Sequence, residues 1–181
     1  SVQSVMSFAD SVASAYQVFS DDYTVYVFDR RKELPVEYPV HEMAQDTAEA
    51  LRALGLSRVN LFGASQGGMM AMEIAILHPD LVQKLALGST SPCMEAARYE
   101  AVEKWIQLAK AGDKTGLYLA FGEAIYPKTV FEQSRELLVE MSKTVADEDL
   151  DRFVVLAEGL RGFDVTGKLS EVACPVLVIG S

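Results

Sequence analysis

Apolar residues recur at three- and four-residue steps from Val5 to Phe19, through Phe8, Ala9, Val12, Ala15 and Tyr16. That spacing predicts an amphipathic helix, closed by Asp21-Asp22. The β-branched and aromatic run Tyr23–Phe28 predicts a short buried strand, ended by Asp29-Arg30-Arg31. After a loop with Pro35 and Pro39, one face of a longer helix is written by Val40, Met43, Ala44, Thr47, Ala48, Leu51 and Leu54, with Gly55 where a C-terminal cap belongs. Arg58–Phe62 predicts a second strand, Gln66–Leu77 a helix stopped by His78-Pro79-Asp80, and Leu81–Leu87 a third strand.

Between Pro92 and about Gly167 the pattern is helical. Tyr99, Val102, Ile106 and Ala109 form one stripe, and Val130, Phe131, Leu137, Leu138 and Met141 a second. Leu150, Phe153, Val154, Ala157 and Leu160 form a third, with Asp147 as a candidate N-cap. The nearly all-apolar run Pro175–Gly180 predicts a last strand, buried on both faces. Strands alternating with helices imply an α/β protein with a mostly parallel sheet and helices on both faces. The expected organisation is a first part of the sheet domain at 1–91, a helical cap at 92–167 and a second part of the sheet at 168–181. A cap in that place is expected over the C-terminal edge of the sheet, where open α/β sheets bind ligands.

One motif carries chemistry. Gly63-Ala64-Ser65-Gln66-Gly67 reads G-x-S-x-G, extended by Gly68; a predicted strand leads in and a predicted helix leads out. A serine on so sharp a turn presents its hydroxyl above the sheet as a nucleophile, and glycines are needed where the chain folds too closely for a Cβ. The bland alternative is a tight turn with a spectator serine.

Bulk properties narrow the partners. The 181 residues hold 26 acidic against 16 Lys and Arg side chains, a net charge of −10, which argues against nucleic acid or anionic membrane and fits simple solubility. Cys93 and Cys174 stand far apart and in no metal-type spacing, so reduced thiols and a cytoplasmic location are expected, with no metal and no organic cofactor. No apolar run has the length of a membrane span. Met69, Met70 and Met72 read as core packing.

Taken together, these pieces resemble the α/β-hydrolase superfamily: the helix, strand and Asp29-Arg30 turn, the helix ending Leu54-Gly55-Leu56, the Gly63–Gly68 elbow, the His78-Pro79-Asp80-Leu81-Val82 exit, and Cys174–Gly180. The resemblance is to the small capped members, such as esterases, enol-lactonases and proline iminopeptidases. It implies that Ser65 is the nucleophile and that the backbone N–H of Gln66 donates to the oxyanion, while the Gln66 side chain lies near the pocket without an assigned role. It also implies that the family's first strands precede this chain, and that a catalytic acid and then a histidine follow Ser181. The 181 residues are accordingly expected to be incomplete and inactive alone.

The residues present are weak substitutes. His41 reads as a solvent-facing residue of a helix first turn. His78 ends the elbow helix, roughly 18 Å from Ser65 at about 1.5 Å per residue, and is favoured there by the helix dipole. Asp29 is expected to brace the turn that follows it, and Glu95 follows a strand where some relatives carry the acid. The leading functional expectation is a serine hydrolase acting on an ester, lactone, thioester or small amide through an acyl-enzyme. Alternatives are a non-catalytic α/β-hydrolase-like protein that binds a small ligand, or transferase or haloperoxidase-like chemistry on the same elbow. A small-molecule acyl substrate is the expected partner; oligomeric state is open.

Overall fold

The computed structural model describes residues 2–180. The chain divides into two compact units: Ser1–Arg31 with Ala101–Val155, and Lys32–Glu100 with Leu156–Ser181.

The second unit holds the sheet. Its first helix, α2 (Val40–Ala53), buries Val40, Met43, Ala44, Ala48 and Leu51 of the stripe its spacing predicts, with Thr47 half-buried and Leu54, just past the helix, exposed. Gly55 ends it at φ 69°, with Leu56 N–H bonding the Leu51 carbonyl at 2.9 Å and Gly55 N–H the Arg52 carbonyl at 2.9 Å. Those paired bonds make a Schellman cap, whose left-handed residue is cheapest as glycine. Strand β1 (Val59–Ala64), helix α3 (Gln66–Leu77) and strand β2 (Val82–Gly88) follow, and β3 (Val176–Ile179) closes the described sheet. All pairing is parallel, in the order β1-β2-β3. Register places Ala64 opposite Gly88 and Gly88 opposite Ile179, so the three strands end level. Helix α3 packs on β1, β2 and α2. It is apolar almost all round and buries Met69, Met70, Ala71, Met72, Ile74, Ala75 and Ile76, so the methionines are core.

Two strand expectations change. Val176–Ile179 does pair with β2, yet all four of its residues are exposed; Val178 keeps 69 % of its surface. A continuous apolar run predicts two covered faces, and among the described residues this edge strand has neither covered. Tyr23–Phe28 forms no ladder, and Tyr23, Val25, Tyr26 and Val27 are each exposed by more than two fifths. A strand exists only where a neighbour completes its hydrogen bonds, and none of the described residues does so here.

The first unit is helical. The single predicted N-terminal helix is α1 (Ala9–Tyr16) flanked by 3₁₀ turns at Val5–Phe8 and Gln17–Phe19. The apolar side of α1 faces Tyr23, Val25 and Val27 across an open groove of about 350 Å³. The long helical span contains α4 (Ala96–Lys110), α5 (Lys114–Ile125), α6 (Lys128–Ser142) and α7 (Asp147–Glu158); α4 and α7 each cross from one unit into the other. In α6 the face rests on Phe131 and Leu138, while Val130 and Leu137 point outward. Asp147 is the first residue of α7, not its cap. Its carboxylate pairs with Lys114 at 2.8 Å, and the reach-back bond expected of an N3 acid is made by Asp149, whose Oδ2 accepts from Ala146 N–H at 3.1 Å.

Candidate active site

Ser65 stands between β1 and α3 at φ 51° and ψ −125°. An L-residue there costs of order 1–3 kcal/mol and persists only where its surroundings over-determine it. Four hydrogen bonds to its main chain do so, three with the backbone and one with a side chain. Ser65 N–H donates to the Gly88 carbonyl at 3.0 Å. The Ser65 carbonyl accepts from Gly68 N–H at 2.9 Å, Met69 N–H at 3.2 Å and the Thr90 hydroxyl at 2.7 Å. The elbow is thus held by its own helix on one side and by the end of β2 on the other. Ser65 is exposed, at the level where the parallel strands end.

The glycines are not equivalent. A Cβ on Gly63 would overlap the Gly67 carbonyl, 2.6 Å from its carbon and 2.8 Å from Gly68 Cα, and one on Gly68 would lie 2.6 Å from Thr90 Cβ. A Cβ on Gly67 would meet nothing within 4 Å. The sequence expectation of crowding holds for two of the three.

Gln66 opens α3, so its N–H lies outside the helix's own ladder and at the positive end of the helix. Its side-chain Nε2 donates to the Leu156 carbonyl at 2.7 Å. Nothing in the local sequence announces that bond, which joins positions 90 residues apart. The role of Thr90 was equally invisible, because it depends on the register of β2 against β1.

Neither histidine reaches the elbow serine. His41, largely exposed, pairs with Glu73 at 3.3 Å across α2 and α3. His78 caps the far end of α3, where its Nε2 lies 2.9 Å from Gln45 Oε1 and its Nδ1 3.2 Å from Arg52 Nη2. Burial, and next the Arg52 charge, push the His78 pKa below its ordinary 6.5. That corrects the dipole expectation: burial first, and then the Arg52 guanidinium, favour the neutral imidazole at this helix end.

Asp29 braces its turn as expected. It accepts from the Ser4 hydroxyl, from Arg30 N–H at 2.7 Å and from Arg152 Nη2 at 3.3 Å, and Arg152 also bonds the carbonyls of Arg30 (3.1 Å) and Arg31 (2.8 Å). Burial alone would raise the Asp29 pKa, but these donors and the Arg152 charge together carry it below 3.8. Glu95 is exposed and paired only loosely with Arg98, at 3.9 Å. Cys93 and Cys174 are free thiols. Among the described residues no helix is long and apolar enough to cross a membrane, and no group of three His, Cys, Asp or Glu could hold a metal ion.

Comparison with known proteins places this geometry. A family profile described as alpha/beta hydrolase fold matches residues 6–123, well over half of the chain. The chain is 26% identical over 177 residues to the "Putative carbamate hydrolase RutD" of Pseudomonas savastanoi pv. phaseolicola, covering 88% of this chain and 65% of that protein. It is 24% identical over 169 residues to 3-oxoadipate enol-lactonase 2 of Acinetobacter baylyi, covering 89% and 61%. The fold matches the crystal structure of MGS-M2, an alpha/beta hydrolase enzyme from a Medee basin deep-sea metagenome library, at a TM-score of 0.77 and 19% identity, over 91% of this chain and 65% of that one. The chain thus spans just under two thirds of the length of these relatives. With a strained serine on a strand-to-helix turn beside parallel strand ends, and a family match across the elbow, the chain belongs to the alpha/beta hydrolase fold family.

Proposed function

We propose that the full-length protein is a serine hydrolase. Ser65 Oγ attacks the carbonyl carbon of an ester, lactone, thioester, small amide or carbamate, and its proton passes to a histidine base contributed from outside the described residues. The carbonyl oxygen takes the negative charge and rests on the Gln66 N–H and a second donor. A donor of this kind is typically worth about 2.7–4 kcal/mol of transition-state stabilisation. Collapse of the tetrahedral species expels the leaving group with a proton, and water then releases the acyl group from Ser65. The apolar helices of 92–167 are read as the part that selects the acyl group.

The observation that carries this reading is the Ser65 backbone, held at φ 51° by four hydrogen bonds and leaving the hydroxyl exposed. A spectator serine has no need of a strained conformation so heavily braced. The relatives' names agree: lactonase and carbamate hydrolase both denote cleavage at an acyl carbon. The test is labelling of the full-length protein with a fluorophosphonate probe. Wild type should label on Ser65 and Ser65→Ala should not; absence of labelling in wild type, or equal labelling of both, refutes the proposal.

A further inference from the structure

The side chain of Gln66 has no part in the chemistry above, which uses only its main-chain N–H. It nevertheless links the elbow to another element, Nε2 donating to the Leu156 carbonyl at 2.7 Å. Leu156 lies in the last turn of α7, among the carbonyls that a helix cannot satisfy internally. The residue just past α7 is held as well, by the bond from Val40 N–H, at the start of α2, to the Gly159 carbonyl at 3.2 Å. Gly159 also lies so close to Tyr38 and Met43 that a Cβ would stand 3.0 Å from the Tyr38 carbonyl carbon and 2.7 Å from Met43 Cε. The chain at 156–159 is therefore wedged between the residue after Ser65 and the start of α2, with the apolar Leu156 side chain only partly buried.

We propose that the Gln66 side chain is a positioning residue for acyl selectivity: it locks the last turn of α7 beside the nucleophile, and Leu156 becomes a fixed wall for the acyl chain. The role rests on Ser65 being the nucleophile. Releasing the lock makes the wall mobile. Long acyl groups, which reach further along such a wall than short ones, feel the change more.

The decisive variant is Gln66→Met, which keeps length and volume but cannot donate. Two measurements on the full-length protein separate the claims. Hydrogen–deuterium exchange should quicken several-fold in residues 156–163 of Gln66→Met and stay unchanged in α2. Inactivation by short- and long-chain alkyl fluorophosphonates should show a long-to-short rate ratio shifted at least threefold, through the binding constant. Gln66→Glu, whose carboxylate repels the Leu156 carbonyl, should shift the ratio at least as far. Unchanged exchange and ratio in Gln66→Met overturn the proposal. Faster exchange with an unchanged ratio overturns the selectivity role. If wild type takes no probe, the Ser65 reading fails and selectivity with it, while exchange still reports on the lock.

Discussion

Gly63 and Gly67 approach so closely that a Cβ on the first would stand 2.6 Å from the carbonyl carbon of the second, whereas a Cβ on Gly67 itself would enter open space. The two glycines of one motif therefore answer to different demands. Gly63→Ala pushes backbone against backbone and should destabilise the protein by about 1–3 kcal/mol or more, with loss of probe labelling at Ser65. Gly67→Ala, in the first turn of α3, should be neutral or stabilising by up to about 1 kcal/mol, since alanine is the better helix former. Urea unfolding midpoints of the two variants decide this; equal losses would contradict the crowding argument.

Thr90 holds the Ser65 carbonyl through its hydroxyl at 2.7 Å. Thr90→Val keeps the shape and removes the donor, so it should cost about 0.5–1.5 kcal/mol and slow fluorophosphonate labelling as the elbow loses a restraint. Thr90→Ser should restore both. A labelling rate in Thr90→Val equal to wild type would show that three bonds suffice to hold the turn.

On the mechanism proposed above, Ser65→Ala in the full-length protein should reduce hydrolysis of an acyl substrate by several orders of magnitude, about 10⁴-fold or more, with little effect on stability because Ser65 is exposed. Steady-state kinetics beside a thermal melt test both halves of the statement.

Arg152 bonds the Asp29 carboxylate and the carbonyls of Arg30 and Arg31. Arg152→Ala should cost about 1.5–3 kcal/mol, the range for charge-assisted bonds. The Asp29 pKa is lowered in the folded state, so the unfolded chain takes up the proton first. Stability contributed by Asp29 is full above its ordinary 3.8 and is lost as pH falls through the lower, folded value. Asp29→Asn should flatten acid unfolding in that region; an unaltered acid limb in this variant contradicts the assignment.

His78 titrates in a separate window. Its folded pKa also lies below its ordinary value, through burial and then Arg52, so protonation opposes folding. Stability from neutral His78 is present above pH 6.5 and declines as pH falls through the depressed folded value. His78→Gln, which stays neutral, should show less loss of urea midpoint between pH 7 and pH 5 than wild type. A steeper loss in the variant would reverse the sign argued here.

The most legible parts of the chain were those whose information is local. The helix Gln66–Leu77 and the turn before it are set by a short apolar strand, tight glycines and His78-Pro79, all within twenty residues. The stripe of α2 and its Gly55 cap follow from helical periodicity and one left-handed residue. Helix α5 had no clear stripe to find, because Leu117, Tyr118, Leu119, Ala120 and Phe121 run together without a polar face.

What the sequence determined by itself was therefore the family, the elbow and the identity of its serine, because each is a matter of neighbours along the chain. Tertiary structure alone decided what encloses them. Tyr23–Phe28 has the composition of a strand but is none, since a ladder needs a second chain segment alongside. Val176–Ile179 is as apolar as a buried strand yet lies exposed, since burial depends on what packs above and below. Thr90 against Ser65 and Gln66 against Leu156 are pairings across 25 and 90 residues, and hydrogen bonds over such separations are created only when the fold brings their ends together.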